Sequence, residues 1–314
     1  MKNFGCILFL FVLSVQASAQ IDSAYIRPYD NKFMFLGFMT KDMLMLVSET
    51  PEKEFSYMPN NPVELGLGFG WNNTILYAAY GYGFDFMRDK ALGKTKSFDF
   101  QWHTYGRKYA FDLFVQRYKG FYMENEKVKT DFVLCPDLQV HQYGVNAEYI
   151  FNHKRFSYKA AFNQSERQLR SAGSLLLGGG IYLSDIRSDS SFVYGERHDL
   201  KNFQFGVNIG YAYTWVLGKH WHITGATTVG IHFGSETIGR FGKDRLEVYP
   251  TVLPRIGAAY NQRDWALAFF FVGSMNYSKL TDDDAVGLFA GTFQLTYFKR
   301  IADIPFLSSL LSRR

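Results

Sequence analysis

Residues 203–217 alternate between large apolar side chains and mostly small or polar ones. The apolar set occupies the odd positions Phe203, Phe205, Val207, Ile209, Tyr211, Tyr213, Trp215 and Leu217. The even positions hold Gln204, Gly206, Asn208, Gly210, Ala212, Thr214 and Val216. Successive side chains of a strand point to opposite faces, whereas the faces of a helix repeat every 3.6 residues. The segment therefore predicts a strand with one apolar face.

The same alternation recurs along the chain, for example at 98–103, 109–116, 142–149 and 265–271. Twelve segments carry it: 33–47, 63–71, 74–86, 97–105, 108–119, 139–151, 155–185, 201–217, 220–234, 249–260, 264–277 and 285–298. A barrel with lipid outside and a polar interior requires this pattern in every strand. We therefore predict an all-β fold, a transmembrane antiparallel up-and-down β-barrel of about 12 strands.

Short and long connections alternate between these segments. The short turns are at Asn72-Asn73, Gly106-Arg107, Asn152-His153, Gly218-Lys219 and Asn261-Gln262, and the long loops are roughly 49–62, 87–96, 120–138, 186–200, 235–248 and 278–284. Outer-membrane barrels have short periplasmic turns and longer outer loops, which gives the sidedness. Near the short turns lie all five tryptophans, Trp71, Trp102, Trp215, Trp221 and Trp265, as an interfacial belt would place them.

Segment 155–185 is too long for one strand and contains the polar stretch 163–170. The flanking turn and loop require an odd number of membrane crossings here. Two arrangements meet that condition: one strand continues with a break, or part of the segment folds into the lumen.

The chain begins with the features of an exported protein. Lys2 precedes an apolar run from Phe4 to Val15, and Ala17-Ser18-Ala19 forms a small-x-small cleavage site. We therefore expect a signal peptide at 1–19, a periplasmic N-terminal extension at 20–32, the β-barrel at 33–298 and a periplasmic C-terminal tail at 299–314. The predicted location is the bacterial cell outer membrane.

Cysteine content and charge argue against a disulfide-stabilised fold and against a nucleic-acid-binding protein. Removal of the signal peptide leaves Cys135 as the only cysteine, so the mature chain has no intramolecular disulfide. The formal charge falls from +5 to +4 when Lys2 is removed, and the basic residues are scattered. We therefore expect no nucleic acid partner.

Four stretches resemble an uncharacterised family of bacterial outer-membrane barrel proteins, known only as a domain of unknown function. They are YIRPYDNKF at 25–33, MPNNPVELGLGFGW at 58–71, FNHKRFSYKAAFNQSERQLRSAGSLLLGG at 151–179 and GYAYTWVLGKHW at 210–221. The third is the most specific, because strand physics does not demand its order of charges and small residues. The resemblance implies a barrel and its location, and it implies no activity.

Polar residues on the inner face form the candidate ligand site. Across the turn at Gly106-Arg107, Gln101 is expected opposite Asp112, with Asp99 and His103 diagonally near that carboxylate. This group is either an acid–base site or a satisfied polar lumen. Asn146 is expected to face Lys159, with Glu148 on the diagonal as a lumenal ion pair.

Glu166, Arg167 and Arg170 are expected to face the lumen, because charges at lipid depth persist only against lumen or protein. With inner-face partners such as Glu148, Lys159 or Arg255 we expect them to form a charged constriction or an inward-folded segment that governs entry, and the alternative is a purely structural plug. The pattern of the sequence indicates no catalytic residue, no metal site and no cofactor. His220 and His222 share a strand face without a third ligand, and Asp282-Asp283-Asp284 fits a solvated loop or lipopolysaccharide-bound cations.

Three functions remain open. The leading hypothesis is a narrow or plugged channel or transporter for small solutes, and the alternatives are a structural or scaffolding envelope barrel and a hydrolase acting on lipid or envelope glycan. No G-x-S-x-G or H-E-x-x-H motif supports the hydrolase. The expected partners are outer-membrane lipid and lipopolysaccharide, the barrel assembly machinery and an unidentified small solute.

Overall fold

A computed structural model describes residues 21–49, 54–71, 74–80, 86, 88–124, 132–190, 198–235, 247–279 and 285–306. The predicted signal peptide and the triple aspartate at 282–284 lie outside these ranges.

Fifteen strands make up most of the described chain. They are β1 (Ile26–Pro28), β2 (Phe33–Glu49), β3 (Glu54–Pro59), β4 (Glu64–Trp71), β5 (Thr74–Tyr80), β6 (Lys96–Tyr105), β7 (Tyr109–Glu124), β8 (Phe132–Ile150), β9 (Glu166–Gln168), β10 (Ala172–Arg187), β11 (Asp199–Leu217), β12 (Trp221–Ser235), β13 (Glu247–Asn261), β14 (Trp265–Lys279) and β15 (Ala285–Ile301). A 3₁₀ helix spans Lys90–Leu92 and a π-helix spans Lys159–Asn163. Within the described ranges, no helix is long and apolar enough to cross a membrane.

Thirteen of the strands form one antiparallel sheet that closes on itself. The closed ring contains ten strands in the order β2, β15, β14, β13, β12, β11, β10, β8, β7 and β3, and β3 pairs back to β2. The prediction of an all-β antiparallel barrel is confirmed. Nine of the twelve predicted strands lie in the ring, and its tenth member, β3, lies in the predicted loop 49–62. The count of 12 is therefore not the number of strands in the closed ring.

The other three strands of the sheet attach beside β3. β2 pairs with β3 through Leu46–Glu49 and with β4 through Phe33–Thr40, so its two halves have different neighbours. β5 pairs with β4, and β6 pairs with β7. Among the residues that the structure describes, no pairing joins β5 to β6. On this side of the barrel, β3 therefore forms the wall at one end, and β4, β5 and β6 form it at the other end.

The alternation predicted for 203–217 is confirmed, and it is inverted relative to a soluble protein. On β11 most of the odd residues are exposed, with Val207 at 66% and Ile209 at 52%, whereas Gln204 and Asn208 are buried at 2% and 1%. Elsewhere the outward set includes Leu67, Ile181, Ile231, Ile256, Leu267 and Leu295, and the inward set includes Gln142, Asn146, Thr224, Thr251 and Arg255. Large apolar side chains thus cover the outside, and polar ones fill the inside.

Apolar residues also cluster in the interior near both ends. One cluster lies at the end of the short turns and includes Met34, Tyr105, Ile150, Phe162 and Phe298. A second lies at the opposite end and includes Leu46, Tyr118, Leu138, Ile186 and Leu288. Between them is a layer of buried polar and charged groups.

Several long loops are shorter than predicted because the strands continue into them. β7 runs to Glu124 and β8 starts at Phe132, so much of 120–138 is strand, and β10 runs to Arg187 within 186–200. Cys135 therefore lies in β8, half-buried and opposite Phe121, rather than in a loop. β15 also continues past the predicted end of the barrel, to Ile301.

Residues 156–171, which we call the plug, fold into the lumen at the end of the short turns. Phe156, Tyr158 and Phe162 are buried there because the ring of strands encloses them. Gln164 ends the π-helix with a left-handed backbone, φ 53°, which reverses the chain toward β9. β9 pairs with β1, so the N-terminal extension packs with the plug. Of the two arrangements considered for 155–185, this is the inward fold.

Candidate ligand site

Arg255 on β13 and Asp112 on β7 form an ion pair in the polar layer. Both side chains are almost fully buried, and the guanidinium also lies 3.7 Å from Glu148 Oε2 on β8. The rings of Tyr105 and Tyr158 each lie 5.8 Å from the guanidinium carbon. One cation thus neutralises carboxylates from two strands, in a site where an unpaired charge is strongly unfavourable.

His103 donates from Nδ1 to Asp112 Oδ1 at 2.7 Å, and its Nε2 lies 3.2 Å from Gln101 Oε1. The sequence correctly predicted that His103 lies near this carboxylate. The predicted register was wrong, because His103 itself pairs opposite Asp112 and Gln101 pairs opposite Phe114. The turn is centred on Arg107-Lys108, one residue further along the chain than predicted, because Gly106 donates to the Tyr109 carbonyl. A shift of two residues preserves the faces of both strands.

Asp99 is not a neighbour of Asp112. It lies opposite Gln116, toward the other end of the barrel, where it accepts from Tyr118 at 2.7 Å, Gln116 at 2.8 Å and Gln101 at 3.0 Å. Gln101 also donates to Thr292 at 2.8 Å, and Thr292 donates to Asp42 at 2.6 Å. A hydrogen-bonded chain therefore links Asp99 on β6 to Asp42 on β2.

A cavity of about 360 Å³ lies between the hydrogen-bonded residues that link Asp99 to Asp42 and the plug. Its polar lining includes Asp42, Glu64, Asp99, Gln101, His103 and Asn163, and its apolar lining includes Phe38, Trp102, Tyr105, Phe162 and Phe270. A smaller void of about 30 Å³ shares Gln101 and His103 with it. The smaller void also touches Gln116 and Arg255, whose Oε1 and Nη1 atoms are buried without a partner in the described part of the protein. The larger cavity is near the lower limit for a small-molecule site.

Asn146 does not face Lys159, contrary to the prediction. Asn146 pairs opposite Asp112 and Gly180 and accepts from Asn208 at 2.8 Å, because the chain leaves the sheet after Ile150. Lys159 lies in the π-helix of the plug, where burial lowers its pKa and the Glu166 carboxylate opposes that shift. Glu148, as predicted, faces the lumen, where it accepts from Thr228 at 3.0 Å.

The three charges of the polar stretch do not share one environment. Glu166 is buried, pairs with Arg107 of the barrel turn, and accepts from Ser157 at 2.7 Å. Arg167 donates to the Lys219 carbonyl in another turn, and Arg170 is exposed with its guanidinium 5.8 Å from the Tyr25 ring. The predicted constriction of these residues with Arg255 is therefore absent from the described structure. Glu166 alone of the three is enclosed.

Arg300, Asn261 and Gln164 hold the plug and were not predicted. Arg300 donates to the Gln164 carbonyl, and the Asn261 amide donates to Gln164 Oε1 at 2.8 Å. His220 Nδ1 lies 2.9 Å from the Asn261 carbonyl oxygen, and His222 Nδ1 lies 3.4 Å from the Asn261 side-chain nitrogen. No three ligand-type residues of the described chain form a metal site. The sequence signal for Arg300 is that it continues the even-numbered face of Thr296 and Phe298, two residues beyond the predicted end of the last strand.

Comparison with known proteins gives a family and no activity. A family model described as a domain of unknown function, DUF4421, matches residues 20–297 and confirms the resemblance. No curated protein matches the chain. Among solved structures, the outer membrane protease OmpT from Escherichia coli has 6% identity and a TM-score of 0.39, covering 87% of this chain and 98% of that one. The Pseudomonas putida toluene transporter TodX has 8% identity and a TM-score of 0.28, covering 87% and 91%. Similarity at this level carries no conclusion about activity.

Proposed function

Because the chain belongs to the DUF4421 family, a domain of unknown function, we propose a function from its structure. The protein is an outer-membrane β-barrel that binds a small solute in its lumen and acts as a plugged transporter for it. The observation that carries this proposal is the cavity of about 360 Å³ beside the plug. A barrel with only a structural role does not require a partly polar cavity of ligand size next to the plug.

The outer surface supports placement in a lipid bilayer. Exposed apolar side chains alternate with buried polar ones along the strands, which suits lipid outside the barrel. At the plug end, aromatic rings follow one another around the wall: Trp221 to Tyr260 at 5.1 Å, Tyr260 to Trp265 at 5.5 Å, and Trp265 to Tyr297 at 6.1 Å. Such a belt is typical of a membrane interface. We assign this end to the periplasm and expect insertion by the barrel assembly machinery, next to outer-membrane lipid and lipopolysaccharide.

The plug occupies one end of the lumen, so we infer that passage requires a change in the plug. Apolar clusters fill both ends of the interior, and the polar layer between them is crossed by the Arg255–Asp112 pair. The plug is held to the barrel partly by polar contacts, from Arg300, Asn261 and Arg107. Polar contacts exchange with water more readily than buried apolar ones, so the plug end is the expected gate.

Planar-bilayer conductance and solute uptake by proteoliposomes test this function. We expect wild-type protein to be nearly closed and Arg300→Ala, which loosens the plug, to raise conductance at least tenfold. Lys299→Ala, at an exposed neighbouring position, is the matched control and should behave as wild type. If limited proteolysis shows the plug released and the Arg300→Ala barrel still passes neither ions nor small solutes, transport is wrong. The protein is then a structural envelope barrel.

One contact favours a second candidate, a hydrolase acting on lipid or envelope glycan. His103 lines the cavity while hydrogen-bonded to Asp112, as in an acid–base pair. Asp112 is also neutralised by Arg255, so a structural role alone explains why a carboxylate is buried at this position. Turnover of phospholipid or glycan substrates by wild-type protein, lost in a folded His103→Gln barrel, would establish the hydrolase.

A further inference from the structure

The cavity beside the plug has an excess of negative groups. Asp42 on β2, Glu64 on β4 and Asp99 on β6 all line it. No lysine or arginine is among the described residues of the lining, and His103, its one basic group, is bonded to Asp112. Lys41, next to Asp42 in sequence, donates instead to the Asn61 backbone oxygen. A ligand with positive charge is the natural complement of such a wall.

The other carboxylates of the polar layer provide an internal comparison. Asp112 and Glu148 share the Arg255 guanidinium. The partners of Asp42 and Asp99 are neutral: the hydroxyls of Thr40, Thr292 and Tyr118 and the amides of Gln101 and Gln116. Arg255 thus pairs with two carboxylates of the layer. The three carboxylates of the cavity have only partial compensation among the described residues, from Lys41, which interacts with Asp42 and Glu64 from outside the lining. Three half-buried carboxylates with one nearby lysine are incompletely neutralised, so binding a cation in the cavity stabilises the protein.

A second observation comes from a buried amide behind Asp99. Gln116 is only 1% exposed and donates to Asp99, while its own Oε1 has no partner in the described chain. That amide touches the void that shares Gln101 and His103 with the cavity. The void next to the cavity therefore holds an unpartnered acceptor, and an N–H donor that reaches past Gln101 and His103 suits it.

The lining also decides between a metal ion and an organic cation. No group of three carboxylate, histidine or cysteine ligands in the described residues is close enough to hold a metal ion. The cavity has aromatic walls instead, including Phe38, Trp102, Tyr105 and Phe162. Aromatic faces attract organic cations and accept the apolar part of a ligand. The volume admits a molecule of one ring with a short amine substituent.

We propose that this cavity binds a small organic cation, an amine or quaternary ammonium attached to an apolar or aromatic group. The charged nitrogen lies toward Asp42, Glu64 and Asp99, and the apolar part lies against the aromatic wall. This assigns a substrate class to the transport site of the proposed function and so rests on that function.

Calorimetric titration of the folded barrel in maltoside micelles tests the proposal with three matched probes. They are phenethylamine, 2-phenylethanol and phenylacetate, which share a phenylethyl or benzyl frame and differ in charge, and empty micelles correct for partitioning. We expect phenethylamine to bind at least tenfold more tightly than 2-phenylethanol and phenylacetate not to bind. Glu64→Gln and Asp42→Asn should each weaken phenethylamine at least fivefold.

The control is Asp185→Asn, which removes a carboxylate paired with Arg187 far from the cavity and should leave affinity unchanged. Glu64 is half-buried at the start of β4, so its isosteric change tests the site even where Asp42→Asn prevents folding. Equal affinity for all three probes, or unchanged phenethylamine affinity in Glu64→Gln, overturns the proposal. Selective binding without transport leaves the site intact and refutes transport, whereas transport without preference for cations refutes the substrate class alone.

Discussion

Arg300 binds the backbone of Gln164: its guanidinium donates from Nε and Nη2 to the Gln164 carbonyl oxygen at 3.1 and 2.9 Å. The same group donates to Asn261 Oδ1 at 2.8 Å and lies 3.7 Å from the centre of the Tyr29 ring. Gln164 is the left-handed residue at which the plug reverses. The last barrel strand thus fixes the turning point of the plug and, through Tyr29, the N-terminal extension.

This relationship predicts that Arg300→Ala loosens the plug without opening the ring of strands. The change leaves several buried acceptors unpaired, which we expect to cost about 2–4 kcal/mol of unfolding free energy. Arg300→Lys should recover little, because an ammonium cannot reproduce the planar guanidinium contacts. Limited proteolysis within 156–171, together with heat-modifiable migration on gels, distinguishes plug release from loss of the barrel. Lys299→Ala should match wild type in both assays.

A second prediction concerns the ion pair at the centre of the lumen. Arg255→Met leaves Asp112 and Glu148 buried without their cation, so we expect a loss of about 3–5 kcal/mol in urea unfolding from lipid vesicles. Adding Asp112→Asn to Arg255→Met should restore part of the loss, because the two residues are directly paired. If the loss of unfolding free energy in the double variant equals the sum of the losses in Arg255→Met and Asp112→Asn alone, the pair contributes no coupling energy.

The sequence predicted the faces of the strands better than their order in the ring. Alternation on β11 placed Val207 outside and Asn208 inside, as observed, because a barrel with an apolar outside and a polar inside requires this pattern along its strands. β3 escaped prediction because it is short: only Glu54 to Tyr57 alternate between polar and apolar side chains before Met58 and Pro59 end the pattern. Its pairing with β2 is local, with Glu49 opposite Glu54, but its pairing with β7, Tyr57 opposite Met123, is a distant contact that no local pattern records.

The site was predictable only as far as local pairing reached. His103 and Asp112 lie on adjacent strands joined by one turn, so their proximity followed from the sequence even though the register was off by two residues. Arg255 meets Asp112 across 143 residues, and Arg300 meets Gln164 across 136. Such contacts depend on closure of the barrel and on the inward fold of the plug, neither of which is encoded in strand periodicity.

The proposed sidedness predicts the labelling of Cys135. This half-buried thiol lies near the end of the barrel opposite the plug, so a membrane-impermeant maleimide should modify it in intact cells. In a Cys135→Ser background, Lys219→Cys at the plug-end turn should react only after the outer membrane is permeabilised. The reverse result for the two thiols would invert the orientation.

The last prediction tests whether the apolar outer face contacts lipid. Val207 lies near the middle of β11 and Leu217 at its end, and both side chains point outward. An outward arginine costs roughly 2–4 kcal/mol at the bilayer midplane and about 0–1 kcal/mol near the interface. Val207→Arg should therefore destabilise the barrel in lipid vesicles much more than Leu217→Arg does.

Val207→Ala controls for the loss of the original side chain, and it should have a small effect because that side chain contacts mainly lipid. The measurement is the urea dependence of unfolding in vesicles, repeated in detergent micelles. In micelles the difference between the two arginine variants should shrink, because a micelle has no fixed midplane. Equal effects of the two arginines in vesicles would mean that the apolar face packs against protein or water at both levels, and the membrane assignment would then be wrong.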